Sequence, residues 1–248
     1  DVARRIAHEI KNPLTPIQLS AERIKRKFAS QVRDHEDLEQ YTDVIVRQTN
    51  DLRRIVDEFS KFARMPEPDR RDCDLTELLK GAVLLQENGQ PDVQFVKDIP
   101  SRPLVLELDA TMMGQAFTNL IKNAGEAIEA YQEKERPAAF QPEIRISLVA
   151  DEKDVVLRIM DNGTGLPPDR ARLFEPYVTT RDKGTGLGLP IVKKIIEEHG
   201  GTLALLDAPV FDGNDHPGAM AEIRLPRAAK RRPRTHVPMG VTAPKKGG

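Results

Sequence analysis

Two amphipathic stripes within the first 62 residues constrain this chain more than anything else in it. From Ala3 onward apolar residues recur at helical spacing, with Ile6, Ile10, Ile17, Ile24 and Phe28 near one stripe. Ser30, Asp34 and His35 break that pattern between Ala29 and Glu36. A second helix follows, in which Leu38, Tyr41, Ile45, Leu52, Ile55, Phe59 and Phe62 keep heptad spacing, interrupted at Gln48. Two helices of roughly 25 residues joined by a short turn form a hairpin that cannot bury both stripes alone. Pairing with a copy of itself as a four-helix bundle solves this, so a homodimer is expected. The helical pattern is already under way at the start, which implies a segment upstream in the intact protein.

Met65 to Asp72, with Pro66, Pro68 and alternating charge, reads as a linker that stops the second helix. The pattern beyond it predicts a helix over 75–86, strands near 93–96 and 104–107, and a long helix over 110–131. Strands at 144–149 and 155–160 come next, then a glycine-rich loop, a helix over 190–198, and strands near 203–206 and 221–225. Strands and helices mix without regular βαβ alternation, which argues for an α/β two-layer sandwich rather than a doubly wound sheet. The expected division is a helical hairpin over 1–65, a linker over 66–72, a second domain over 73–226 and a tail over 227–248.

A hydrophobic fraction of 39% suffices for a core, and the 31% charged fraction with no Trp points to a helix-rich soluble protein. No apolar run approaches the roughly 20 residues that cross a bilayer. The single Cys73 cannot form an internal disulfide, and a reducing cytoplasm is the expected compartment. Arg227 to Gly248 carries seven basic residues and no acidic one, leaving −8 for the rest of a chain whose net charge is −1. Such a basic, Pro/Gly-containing tail is most often solvated and disordered, and no nucleic-acid partner is expected from it.

Four clusters carry chemistry. His8-Glu9-Ile10-Lys11-Asn12-Pro13-Leu14 lies on the first helix, with His8 two residues past Ile6 and so turned from the apolar stripe. A neutral, solvent-facing imidazole offers a nitrogen lone pair to an electrophile such as a phosphoryl group. Asn12 at i+4 shares its face, Glu9 must reach around, and Pro13 is expected to bend the helix. Asn119 and Asn123 share a face of the long helix, where paired Asn is a costly choice. Their carboxamide oxygens can ligate a hard cation such as Mg²⁺ beside phosphates. Asp161-Asn162-Gly163-Thr164-Gly165 follows a strand, so the Asp161 carboxylate can accept from an exocyclic amine. Gly184-Thr185-Gly186-Leu187-Gly188-Leu189-Pro190 opens a helix whose backbone N–H groups can cradle phosphate.

In this order and spacing these elements resemble the H, N, G1 and G2 boxes of sensor histidine kinases, and Leu173-Phe174-Glu175-Pro176-Tyr177-Val178-Thr179-Thr180 looks like their F box. Pro13-Leu14-Thr15-Pro16-Ile17-Gln18-Leu19-Ser20 is most similar to the NtrY-like branch of nitrogen-regulation kinases. The resemblance, which covers residues 1 to 226, implies a dimerisation and histidine-phosphotransfer hairpin followed by an ATP-binding domain of the gyrase/Hsp90/kinase/MutL superfamily. It makes His8 the phosphoacceptor, Glu9 the general base that polarises it, and Asn12 the residue that positions water in the phosphatase direction. Asn123 becomes the Mg²⁺ ligand, Asn119 a support for the phosphates, and Asp161 the adenine contact. The stretch from Gly163 to Gly188 becomes a mobile lid that includes Gly165, Thr180, Gly184, Thr185, Gly186 and Leu187, with Lys122, Arg181 and Lys183 as candidate phosphate contacts. One departure is Glu126, three residues after Asn123, at a place often basic in relatives.

The implied partners are a second copy of the chain and the receiver domain of a cognate, NtrX-like response regulator. The implied setting is a cytoplasmic fragment of a protein anchored in the bacterial inner membrane through upstream segments. A gyrase- or MutL-type ATPase is the competing enzyme reading, but its catalytic Glu position holds Asn119, whose carboxamide cannot act as a general base. A phosphatase-dominant or scaffold homologue is the other alternative.

Overall fold

The computed structural model describes residues 2–32, 35–63, 65–135, 140–176, 178 and 186–227, excluding the side chains of residues 2–6, 8, 58 and 61–63. Two antiparallel helices come first, α1 (Val2–Phe28) and α2 (His35–Ala63). Lys25, Arg26 and Lys27 in the last turn of α1 and Glu36 and Asp37 in the first turn of α2 complement the two helix dipoles. Pro13 and Pro16 lie inside α1 without ending it.

The contact between the helices buries residues at intervals of seven: Ala7, Leu14 and Ala21 from α1, and Thr42, Thr49 and Val56 from α2. The Thr42 and Thr49 hydroxyls donate to carbonyls of their own helix, at 2.8 Å to Leu38 and 2.7 Å to Ile45, so their burial strands no polar atom. One register runs along the pair, from Lys25–Asp43 at 2.9 Å through Arg53–Thr15 at 3.1 Å to Lys11–Asp57. It sets the His8 position level with Ser60. The large apolar residues point elsewhere: Ile10, Ile17, Ile24, Tyr41, Ile45 and Leu52 are between 42% and 65% exposed.

The second unit holds a five-stranded sheet in the order β2-β4-β5-β7-β6, built from β2 (Gln94–Asp98), β4 (Glu143–Ala150), β5 (Asp154–Asp161), β6 (Thr202–Asp207) and β7 (Ala219–Pro226). The β2–β4 pair is parallel and the other pairs are antiparallel. Alternate residues such as Ile144, Ile146, Leu157, Ile159 and Ile223 face a layer of three helices, α3 (Leu75–Gly89), α4 (Ala110–Glu135) and α5 (Gly188–Glu198). Phe117, Ile121, Ile128, Ile195 and Ile196 meet them with almost no exposure. This is the α/β two-layer sandwich read from the sequence.

One expectation needs correcting. Arg71–Asp74, half of it within the stretch read as linker, forms strand β1, antiparallel to β3 (Val105–Leu108). Residues Arg-Asp-Cys-Asp give no alternating apolar signal, so only the non-local partner makes them a strand. Asp74 then caps α3, its Oδ1 accepting from the Thr76 and Leu104 N–H groups at 3.0 Å each. Even the preceding residues are held: the Asp69 N–H donates to Asp109 Oδ2 at 3.0 Å, and the Arg70 guanidinium donates to the Glu198 carbonyl.

Candidate functional site

Helix α4 presents Gln115, Asn119, Asn123 and Ala127 along one face, with Lys122 and Glu126 beside them. These line a cavity of about 390 Å³. The sheet supplies its floor through Ile159, Asp161, Leu205, Ala219 and Ala221, and Gly186, Gly188, Leu189 and Pro190 at the start of α5 close one side. The first turn of α5 thus borders the space with its positive end, a setting suited to an anion.

Asp161, at the end of β5, is 5% exposed. Its Oδ1 accepts from the Gly163 N–H at 2.9 Å and the Ala219 N–H at 3.4 Å. An ionised carboxylate has acceptor capacity beyond two such bonds, so it can also receive an amine proton from a ligand. The loop that follows is fastened to α4: Thr164 N–H donates to the Ala127 carbonyl at 3.2 Å, and a Cβ on Gly163 would lie 2.4 Å from the Ala127 carbonyl carbon. Gly163 is therefore a packing glycine, whereas Gly165 lines the cavity. Asn162 in the same motif is structural, taking the Glu143 N–H at 2.9 Å and donating to the Gln141 carbonyl at 2.7 Å.

The structure thus brings Asn119, Lys122, Asn123, Asp161, Gly165, Gly186 and Gly188 to one cavity. Leu187 is fully buried in the core and carries no ligand-facing side chain. Thr180, Arg181, Lys183, Gly184 and Thr185 lie outside the described residues. On α1, Glu9 and Asn12 are exposed and Lys11 pairs with Asp57, while the His8 side chain lies outside the description.

Three contributors escape sequence reasoning. Gln115 extends the Asn119–Asn123 face by one more turn, a repeat at i, i+4 and i+8 that could have been extrapolated. His216, from the loop before β7, stacks on Tyr131 with ring centroids 4.3 Å apart, and its Nε2 lies 2.9 Å from the Gly163 carbonyl oxygen. Arg54 comes from α2, and no local pattern announces that it lines a cavity in the other unit.

Residues 1–68 match the family described as "His Kinase A (phospho-acceptor) domain", and residues 108–229 match "Histidine kinase-, DNA gyrase B-, and HSP90-like ATPase". The chain belongs to the histidine kinases. It is a histidine kinase catalytic core in which a helical phospho-acceptor unit precedes an ATP-binding unit.

This core is 55% identical to the nitrogen regulation protein NtrY of Azorhizobium caulinodans over 84% of its own length and 27% of that protein. It is 32% identical to the sensory histidine kinase/phosphatase NtrB of Rhodobacter capsulatus, over 84% of its length and 58% of that protein. The chain thus spans about a quarter of the first of these relatives and less than two thirds of the second. Among solved structures, the histidine kinase ThkA in complex with the response regulator protein TrrA is similar at a TM-score of 0.61 and 26% identity, over 93% of this core and 62% of that chain. Full-length ShkA in complex with AMPPNP shares the fold at a TM-score of 0.64 and 22% identity, over 92% of this core and 46% of that chain. Among the described residues, no helix is long and apolar enough to cross a membrane.

Proposed function

We propose that the chain transfers the terminal phosphoryl group of ATP to a ring nitrogen of His8 and then delivers it to an aspartate of a response regulator. The observation that carries this reading is the convergence of Asp161, Asn119, Asn123 and the α5 N-terminus on a single cavity. Asp161 would accept from the adenine amino group, and Asn119 would support the phosphates with the backbone N–H groups at Gly186 and Gly188. Among the described residues no cluster of three carboxylate, imidazole or thiolate groups stands ready to cage a metal. The Asn123 carboxamide, a hard neutral oxygen donor on the cavity wall, instead suits a Mg²⁺ ion that the phosphates bring with them. When bound, that ion neutralises charge on the phosphate oxygens.

On α1, Glu9 would take up the proton of the His8 imidazole as its other nitrogen attacks phosphorus and ADP leaves. Asn12 would orient water when the phosphorylated regulator is hydrolysed. The apolar stripe of Ile10, Ile17, Ile24, Ile45 and Leu52 supports a homodimer. The kinship with NtrY supports an NtrX-like receiver domain as recipient and an intact protein held at the bacterial inner membrane.

Incubation with γ-labelled ATP and Mg²⁺ tests the reading. The wild-type chain should acquire acid-labile, alkali-stable label, and His8→Gln should acquire none while binding ATP as before. Asp161→Asn should lose ATP affinity with the hairpin intact. Label persisting in His8→Gln would remove His8 as acceptor, and no ATP binding by the wild-type chain would remove the nucleotide assignment of the cavity.

A further inference from the structure

We infer that Arg54 of the phosphotransfer hairpin is a ligand to the terminal phosphate of ATP, so that the nucleotide is held by both units of the chain at once. The inference rests on the nucleotide reading of the cavity and extends it to a residue outside the ATP-binding unit.

The purine end of the cavity is fixed by Asp161, whose loop is fastened to α4 at Ala127. From Ala127 the cavity follows α4 back to Gln115, twelve residues or about 18 Å of helix. A nucleotide anchored at Asp161 therefore extends its phosphates along the Asn123–Asn119–Gln115 face. Lys122, 3.7 Å from Glu126, is one cation on that face. Among the described residues, Arg54 is the other cation on the wall, and it is brought there by α2.

The Arg54 guanidinium suits the task. It pairs with Asp51, one turn earlier on α2, at 3.4 Å, and half of the side chain is exposed. Five N–H donors in a planar fork can keep that contact and still grip a phosphate with two parallel bonds. Its place on the hairpin also matters. The α1–α2 register sets His8 level with Ser60, and Arg54 lies six residues from Ser60, about 9 Å along the axis. A phosphate held by Arg54 is thus within about two turns of the acceptor's level on the bundle.

The test compares ATP with ADP on the intact chain, by equilibrium binding in the presence of Mg²⁺, for the wild type, Arg54→Ala and Arg54→Lys. Arg54→Ala should weaken ATP binding about tenfold, the scale of one charge-assisted contact, and leave ADP binding within twofold. Arg54→Lys, which keeps the charge without the fork, should fall between. Unchanged ATP affinity in Arg54→Ala would overturn the inference. So would an equal loss for both nucleotides, which would make Arg54 a wall of the cavity and not a phosphate ligand. If the unaltered chain binds ATP, the reading of the cavity survives either result; if it does not, both fall.

Discussion

Both ring nitrogens of His199 are committed inside the fold. Its Nε2 accepts the Asp109 N–H at 3.0 Å, and its Nδ1 lies 2.7 Å from the Ile195 carbonyl, which only a protonated Nδ1 can satisfy. The neutral tautomer is therefore the one the structure uses, and a second proton would displace the Asp109 N–H bond at the entry to α4. Burial holds the imidazole below its ordinary range, the Arg70 charge pushes the same way, and the Ile195 carbonyl, Asp109 and Glu198 oppose them. Because the folded group titrates below the unfolded one, its contribution to stability is complete above the unfolded value, about 6.5, and is lost as pH falls beneath it. Urea midpoints measured at pH 7.5 and 5.5 should fall with acid in the wild type. In His199→Gln the midpoint should be lower at pH 7.5, and its decline between the two pH values should be smaller. An equal decline in both proteins would assign the acid sensitivity to other groups.

The helical elements were legible because their periodicity is local. The heptads of α1 and α2 and the Asn119–Asn123 pair on α4 can be read from a few turns of sequence, and their bounds moved only modestly in the structure. What escaped depends on juxtaposition. Arg71–Asp74 becomes a strand through a partner more than thirty residues away, and Arg54 joins the cavity only because α2 lies against the other unit. Glycines mislead in their own way: Gly163 reads as a ligand contact, yet its missing Cβ is what lets the loop close on the α4 backbone. The hairpin also shows two separate seams. Residues at positions 7, 14, 21 and 42, 49, 56, mostly small, close the pair, and most of the bulky residues that look like a core from sequence are left outside it. If that outer stripe is the bundle interface, Ile17→Lys combined with Ile45→Lys should convert a dimer into a monomer by sedimentation equilibrium at micromolar concentration. Thermal unfolding of the sandwich should be nearly unchanged. A variant that stays dimeric would place the interface elsewhere.

At the scale of the whole molecule, the two units are joined by little chain. Helix α2 ends at Ala63, and the Asp69 N–H is already bonded to the cap of α4. The tether between them is residues 64 to 68, a reach of roughly 20 Å at full extension, and Met65 within it packs against the sandwich core. Ten Gly/Ser residues inserted between Pro66 and Glu67 should slow labelling of His8 about fivefold at saturating ATP, following the power-law fall of end-to-end contact with length. A rate unaffected by the insertion would mean that docking surfaces, not the tether, bring the units together. So short a leash has a consequence for how the enzyme behaves in dilute solution. It confines the nucleotide-binding unit to a small sphere around the hairpin, which sets the effective concentration of phosphoryl donor at millimolar order. Turnover per bundle should then be indifferent to how dilute the protein is.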